Sequence, residues 1–141
     1  MTPRVVALHL STARRVPMLT PERAKAVAAH GLEGDRHAKR NSRRSVLLVE
    51  METLEALGLS PGDVREQVTT SGLGLDALAA GTRLRIGDAV LELGQPCAPC
   101  SRMDELRPGL RAALEGRRGR FARVVETGLL AVGDSIVTEP A

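Results

Sequence analysis

The sequence predicts one domain made mostly of β-strands, closed or partly open as a β-barrel, with a few short helices. Short β-rich segments recur along the 141 residues, and turns of Gly, Pro and Asp separate them. Only one segment has a clear helical pattern, and no linker, repeat or low-complexity stretch divides the chain. We therefore treat residues 1–141 as a single domain.

Three strands are expected in the first third of the chain. Arg4–Leu10 is rich in aliphatic and β-branched residues and is the first predicted strand. Ala24–Ala29 is a second strand, although its alanines would also suit a helical turn. A polar, basic loop over 38–44 then leads to Ser45–Val49, a continuous apolar run that is typical of a buried strand.

The middle of the chain begins with the one clear helix. Apolar residues recur at three-residue spacing over Met51–Leu57, and a glycine follows as a C-terminal stop. Val64–Thr70 is expected to be extended, and Leu73–Ala80 to contain a turn of helix. The segment from Thr82 to Leu93 predicts a hairpin, with Gly87-Asp88 as its turn.

The last third is predicted to contain helix and then strands. Met103–Glu115 is loosely helical, but Pro108-Gly109 interrupts it. Arg120–Glu126 and Leu129–Val137 are strand-like on either side of Thr127-Gly128. These segments complete a set of six to eight predicted strands.

The charges are unevenly distributed. Residues 1–47 carry ten Lys and Arg against three Asp and Glu, residues 48–106 carry four against ten, and residues 107–141 carry six against four. A fold that brings the two basic ends together would form a basic pocket for a small anionic ligand, or a basic face for nucleic acid. Phe121 is the only Phe, Trp or Tyr, so stacking on nucleic-acid bases is not expected.

The sequence also indicates a compartment. No apolar run approaches the roughly 20 residues that a membrane span requires. The start of the sequence lacks the layout of a secretory signal, and two cysteines are too few for a disulfide framework. We therefore expect a cytoplasmic protein.

The only two cysteines lie in the segment Gln95–Cys100, which we call the cysteine turn. Its two prolines fix φ and disfavour helix before them, so the turn is expected to be rigid and to present sulfur. From the residues alone, Cys100 is a soft metal ligand, a carrier of sulfane sulfur or a plain buried cysteine. Cationic groups would favour its thiolate, and the candidates are Arg102, Arg120 and Arg123.

Cys97 is the secondary candidate thiol. Together with Cys100 it could form a redox disulfide, although such pairs normally open a helix in a βαβ unit. The pair could also be half of a zinc site, which would need His30 or His37 to complete it.

Polar residues before the first buried strand have two interpretations each. His37 is a hydrogen-bond or proton donor at the mouth of a site, or an exposed histidine in a turn. Asp35 orients its neighbours, or only shapes the turn. The basic side chains that follow form either a clamp for phosphate or a solvated loop; they are Arg36, Lys39, Arg40, Arg43 and Arg44.

Several segments, in order, resemble the MOSC domain family, which is named after the C-terminal domain of molybdenum-cofactor sulfurase. The chain is most similar to the small stand-alone bacterial members. Gly31–His37 resembles the family's Gly-x-x-Gly-Asp-x-His signature, and the cysteine turn resembles its Pro-x-x-Pro-Cys turn, with Cys100 on the family's cysteine. The other similar segments are Arg44–Leu57, Arg65–Leu73, Gly81–Gly87, Gly119–Val124 and Val132–Asp134. Two departures are Arg65 in place of a glycine and Gln67 in place of an asparagine.

The resemblance implies a barrel of the MOSC, or pyruvate-kinase β-barrel-like, type. It implies that Cys100 is a ligand of molybdenum in the molybdenum cofactor (molybdopterin), or a persulfide carrier, with His37 and Asp35 as catalytic polar partners. The side chains expected to contact the cofactor are Arg36, Lys39, Arg43, Arg44, Glu66, Gln67 and Arg123. Glu66 and Gln67 could instead be a charged strand edge.

The expected activity is reduction of N-hydroxylated compounds, or sulfur transfer. Larger relatives carry electron-transfer or pyridoxal-phosphate-binding desulfurase domains, and no segment here resembles these. A separate reductase or sulfur-donor protein is therefore the expected partner. Three other functions stay open: a Cys-x-x-Cys dithiol redox protein, a basic module for nucleic acid or another ligand, and a purely structural or interaction domain.

Overall fold

A computed structural model describes residues 2–141 of the chain. In that range ten β-strands and three short α-helices follow one another. The strands are β1 Arg4–Leu8, β2 Arg23–Val27, β3 Gly31–Leu32, β4 Val46–Glu50, β5 Val68–Ser71, β6 Arg83–Ile86, β7 Ala89–Pro96, β8 Arg120–Glu126, β9 Gly128–Ala131 and β10 Ile136–Glu139. The helices are α1 Met51–Ala56, α2 Ser101–Leu106 and α3 Leu110–Ala113, and Leu75–Ala77 forms one turn of 3-10 helix.

Seven strands form the main sheet, in the order β1-β5-β4-β8-β7-β6-β10. Only β4 and β5 are parallel neighbours in it, and α1 lies on the connection between them. The edge strand β1 meets the segment before β10, where Val5 N donates to Asp134 O (2.9 Å) and Gly133 N donates to Val5 O (2.9 Å). The sheet is thus a nearly closed barrel with one seam that no continuous β-ladder seals, which confirms the predicted fold class.

A smaller sheet, β3-β2-β9, lies beside the barrel. The turn after its middle strand connects to the barrel through the hydrogen bond from Ala29 N to Val124 O, which is 2.9 Å long. The segment that carries Asp35 and His37 follows β3 directly. The small sheet therefore positions the predicted polar partners.

Strand β4 is buried on both faces, as its apolar run predicts. Successive side chains of a strand point to opposite faces. Val46 and Leu48 accordingly join the hydrophobic core inside the barrel, whereas Leu47 and Val49 join a second core beneath the helices. The second core fixes α2, which begins directly after the cysteine turn.

The predicted elements are largely present, but the structure has ten strands where six to eight were expected, and β3 was not predicted as a strand. Two predicted segments also differ in their bounds. The segment predicted as one strand over Leu129–Val137 is two strands, because Gly133 turns the chain with a φ of 92° and Asp134 Oδ2 accepts a hydrogen bond from Ala131 N (2.7 Å). The segment predicted to be extended over Val64–Thr70 enters its strand only at Val68, because Arg65 has a φ of 62°. Both differences come from residues in the left-handed region, which breaks a strand.

Over residues 2–141, the helices are all too short and too polar to pass through a membrane.

Candidate functional site: a cysteine turn between two cationic cavities

The cysteine turn presents one thiol to solvent and partly buries the other. The turn begins where Cys97 N donates to Gly119 O (2.8 Å), and it ends where Met103 N donates to Cys100 O (2.9 Å) in the first turn of α2. Both cysteines are free; Cys100 is exposed, and Cys97 is partly buried against the second core. Cys100 is therefore the thiol that a ligand or partner can reach.

Burial also makes Cys97 the poorer nucleophile. It raises the pKa of the Cys97 thiol, and the neighbouring Cys100 raises it further, whereas the charges of Arg118 and Arg44 oppose the rise. Thiolate is the form that attacks disulfides and binds metals. Cys97 is thus held as the neutral thiol at physiological pH.

A buried carboxylate, that of Asp35, organises the polar segment after β3. Asp35 Oδ1 accepts from Ser11 N (2.6 Å), and Oδ2 accepts from His37 N (2.9 Å) and lies 3.4 Å from His37 Nδ1. Gln67 Nε2 lies 3.4 Å from both oxygens and 3.3 Å from His37 Nδ1, while its Oε1 accepts from Leu47 N (2.8 Å). His37, whose side chain is 39% exposed, is therefore oriented by Asp35 and Gln67 with its ring open to solvent.

Glu66 is fully buried beside a tight loop. Its Oε2 accepts from Gly62 N (2.9 Å) and from Thr69 Oγ1 (2.6 Å), and its Oε1 has no hydrogen-bond partner among the described residues. Gly62 packs so closely on His9 that a Cβ there would lie 2.9 Å from His9 Nε2. The ring of His9 is buried as well, and its Nδ1 has no partner within residues 2–141. Glu66 and Gln67 thus lie beneath the surface, where they position neighbouring segments.

Two guanidinium groups meet at the hydroxyl of Ser11. Arg36 Nε and an amino group of Arg65 both donate to Ser11 Oγ, over 3.2 and 3.1 Å. Burial lowers the pKa of Arg65, and so do the charges of Arg102 and then Arg36, while Asp35 opposes the shift. Arg65 and Arg102 both line a cavity of about 470 Å³, which we call the first cavity, and His9 forms part of its wall. Arg102 is the second residue of α2, so this cavity lies beside the helix that follows Cys100, although Cys100 is not part of its wall.

The remaining predicted cationic residues surround a different space. Arg43, Arg44 and Arg123 line a second cavity of about 440 Å³, with Phe121 and Gln95. The two cavities share no lining residue. The structure therefore divides the predicted cationic residues into two groups, with Arg36 at Ser11 and with Arg43, Arg44 and Arg123 at the second cavity. None of these four residues lines the first cavity.

Two predicted residues lie outside both groups. Lys39 is exposed in the loop before β4, and its carbonyl accepts from Ser42 N (3.0 Å). Arg120, a candidate for the charge near the thiols, is buried and donates to the carbonyl oxygens of Gly94, Leu75 and Leu78. The charges that act on Cys97 come instead from Arg118 and Arg44.

Sequence reasoning did not select His9 or Ser11, which the fold brings to the first cavity and its arginines. No feature of the local sequence marks either residue as part of a site. His9 comes directly after strand β1, and Ser11 opens the loop that follows. Within residues 2–141, no group of three or more His, Cys, Asp or Glu side chains is arranged to hold a metal ion. A metal bound at Cys100 would therefore take its other ligands from a cofactor or from solvent.

Comparisons with known proteins agree with this architecture. The model of the MOSC domain family matches residues 9–137. The YuaD protein of Bacillus subtilis has a similar structure, with a TM-score of 0.82 and 21% identity over 100% of this chain and 97% of that one. YiiM of Geobacillus stearothermophilus (TM-score 0.78, 19% identity, 97% and 75% covered) and YiiM of Escherichia coli (0.75, 16%, 98% and 70%) are also similar. No curated protein sequence matches the chain.

The fold and the site define a small strand-rich barrel with an exposed thiol on the turn before α2 and with two arginine-lined cavities. The match over 9–137 identifies the chain as a member of the MOSC domain family. This confirms the resemblance on which the predicted site rests.

Proposed function

We propose that this MOSC protein uses Cys100 to bind the molybdenum of the molybdenum cofactor, or to carry sulfane sulfur. The observation that carries the proposal is an exposed free thiol at the start of α2, two residues before an arginine of the first cavity. Arg65 and Arg102 would then hold the anionic part of the ligand, with Arg36 beside Arg65 at Ser11.

The residues present fit such a group. A thiolate is a soft ligand of the kind that binds electron-rich metal centres. Guanidinium groups bind phosphate through paired hydrogen bonds, and a cavity of about 470 Å³ falls within the range of known ligand sites. His9, whose buried Nδ1 has no partner in the described chain, forms part of the same cavity wall. When bound, the molybdenum cofactor would supply a redox-active metal for the reduction of N-hydroxylated compounds.

The chain's own residues would bind the ligand and orient the groups around it. Asp35 and Gln67 fix the ring of His37, so that its exposed edge can deliver a proton to a bound substrate. Glu66 holds the loop at Gly62, which forms part of the wall of the first cavity. Lys39, exposed in the loop before β4, would add a cationic contact for a large anionic ligand.

Sulfur transfer uses the same thiol without a metal. The Cys100 thiolate would attack the outer sulfur of a donor's persulfide, a new S–S bond would form on Cys100, and the donor would leave as a thiolate. The exposure of Cys100 favours this step, because the donor has to reach the sulfur directly. Either function needs a partner, a reductase for the first and a persulfide donor for the second.

A dithiol cycle is less favoured, because it would depend on Cys97, whose raised pKa disfavours its thiolate.

The test compares three proteins purified from a host that makes the molybdenum cofactor: the wild type, Cys100→Ala and Cys97→Ala. Metal analysis and native mass spectrometry should find molybdenum and a pterin mass, or an added sulfur atom after treatment with a low-molecular-weight persulfide. We expect either signal in the wild type and in Cys97→Ala, and its loss in Cys100→Ala. Equal signals in all three proteins, or none in any, would overturn the proposal, and loss in both variants would favour the dithiol alternative.

A further inference from the structure

The second cavity contains the only aromatic side chain of Phe, Trp or Tyr type in the chain. Phe121 lies in its wall, and the guanidinium carbon of Arg44 lies 5.3 Å from the centroid of the Phe121 ring. This distance places the cation within range of the ring face. Leu93 and Ala80 extend the apolar part of the wall.

The charge of this cavity is not balanced. Arg123 Nε donates to Glu92 Oε2 at 2.6 Å, and Arg83 Nε lies 3.9 Å from Glu92 Oε1, so the one carboxylate in the wall is already paired. Among residues 2–141, no carboxylate lies within ion-pair distance of Arg43 or Arg44. Two free guanidinium groups therefore face a partly apolar space of about 440 Å³.

We propose that the second cavity is a binding site for small aromatic carboxylates. The carboxylate would lie between Arg43 and Arg44, which can hold it through paired hydrogen bonds, and the ring would pack on Phe121 and Leu93. A ligand that is anionic at one end and flat and apolar at the other satisfies both halves of the wall. A bare phosphate would leave the apolar half in contact with water.

This site is separate from the proposed cofactor site. Its lining includes Gly94, just before the cysteine turn, and Gln95, the first residue of that turn, but neither cysteine is part of its wall. The inference stands without the proposed function, because it needs neither Cys100 nor the first cavity.

The composition of the chain allows a direct test. Without Trp or Tyr, the protein does not obscure the fluorescence of naphthalene-2-carboxylate, and titration of the wild type should give saturable binding at one site per chain. The aromatic region of the proton NMR spectrum contains only Phe121 and three histidines. The ring signals of Phe121 should shift as the ligand is added.

Matched ligands and variants test whether the site recognises a carboxylate through Arg43 and Arg44. The double variant Arg43→Gln, Arg44→Gln should bind naphthalene-2-carboxylate at least tenfold more weakly, whereas Arg111→Gln, an exposed arginine on α3, should bind like the wild type. Naphthalene-2-carboxamide, which lacks the charge, should bind at least tenfold more weakly to the wild type. Inorganic phosphate should not displace the carboxylate at equal concentration.

Other results would overturn the proposal. These are binding that the double variant keeps, equal binding of the carboxamide, displacement by equimolar phosphate, or saturation without a shift of the Phe121 signals. Thermal unfolding of each variant checks that it is folded. The carboxamide and phosphate arms use only the wild-type protein, so they decide the outcome even if the double variant does not fold.

Discussion

Arg65 holds a left-handed backbone conformation while its guanidinium donates to Ser11 Oγ across 3.1 Å. Its φ is 62°, a region that non-glycine residues enter at a cost of about 1–2 kcal/mol. The same guanidinium donates to the carbonyl oxygens of Val16 (2.9 Å) and Ala13 (3.3 Å). The strain is therefore offset by a side chain that holds the segment 11–16 against the first cavity.

Arg65→Gly and Arg65→Ala both lose these hydrogen bonds, but only the alanine keeps the strain. We expect the glycine variant to be more stable than the alanine variant by about 1 kcal/mol, measured by urea unfolding. Both should increase hydrogen exchange over 11–18, which Arg14→Ala, an exposed arginine of the same segment, should leave unchanged. An alanine variant as stable as the glycine variant would show that position 65 carries no strain.

Asp35→Ala should be among the most destabilising single changes in the polar segment. It would leave the amide groups of Ser11 and His37 without their acceptor in a buried region, which we expect to cost about 3 kcal/mol in urea unfolding. Asp63→Ala is the matched control, because its carboxylate accepts from Ser60 N at an exposed site. We expect the control to cost less than about 1 kcal/mol, and equal losses would mean that the Asp35 network contributes no more than an exposed turn.

The pKa of Cys97 predicts a pH dependence. In Cys100→Ser, the rate at which iodoacetamide alkylates Cys97 should rise only above the ordinary pH range of a cysteine, because burial raises this pKa. The same variant in guanidinium chloride should regain the ordinary profile. The pKa of Cys97 is higher in the folded protein than in the unfolded chain. The protonated thiol of Cys97 therefore contributes its full stabilisation at pH values below the pKa of the unfolded chain. This contribution is lost as the pH rises through the pKa of the folded protein. An identical profile in folded and unfolded protein would contradict the burial of this thiol.

Gly62→Ala tests the contact between the loop at Gly62 and His9. The new Cβ would lie 2.9 Å from His9 Nε2 at a φ of 89°, so we expect a loss of stability from both the conformation and the contact. Gly133→Ala is the control for the conformation alone, because its φ is 92° and no atom lies within 4 Å of its Cβ position. The excess loss in Gly62→Ala should shrink when it is combined with His9→Ala, as a double-mutant cycle in urea unfolding can measure.

The fold could be predicted because local patterns agreed with it. The buried strand β4 was visible as an apolar run, and the hairpin of β6 and β7 was visible from Gly87-Asp88. The break between β9 and β10 was missed, because the apolar residues on either side of Gly133 read as one strand. The left-handed turn at Arg65 could not be foreseen, because an arginine does not indicate a positive φ.

The site was harder to predict than the fold. Sequence order placed Arg36, Arg43 and Arg44 in one basic loop, whereas the structure directs the first toward Ser11 and the other two toward Phe121. Such a division depends on strand register and on contacts between distant segments, which one sequence does not reveal. For the same reason Gln67, a residue of polar type, could not be recognised as a buried partner of Asp35.

The seam of the barrel has a consequence for synthesis. The two segments that meet there, at Arg4 and Ser135, are far apart in the sequence, so a ribosome completes nearly the whole barrel before its last partner emerges. Until then β1 and β6 each expose an unpaired backbone edge, of the kind that other nascent chains can join. The interval before β10 emerges is therefore the period in which these two edges are open to pairing with other chains.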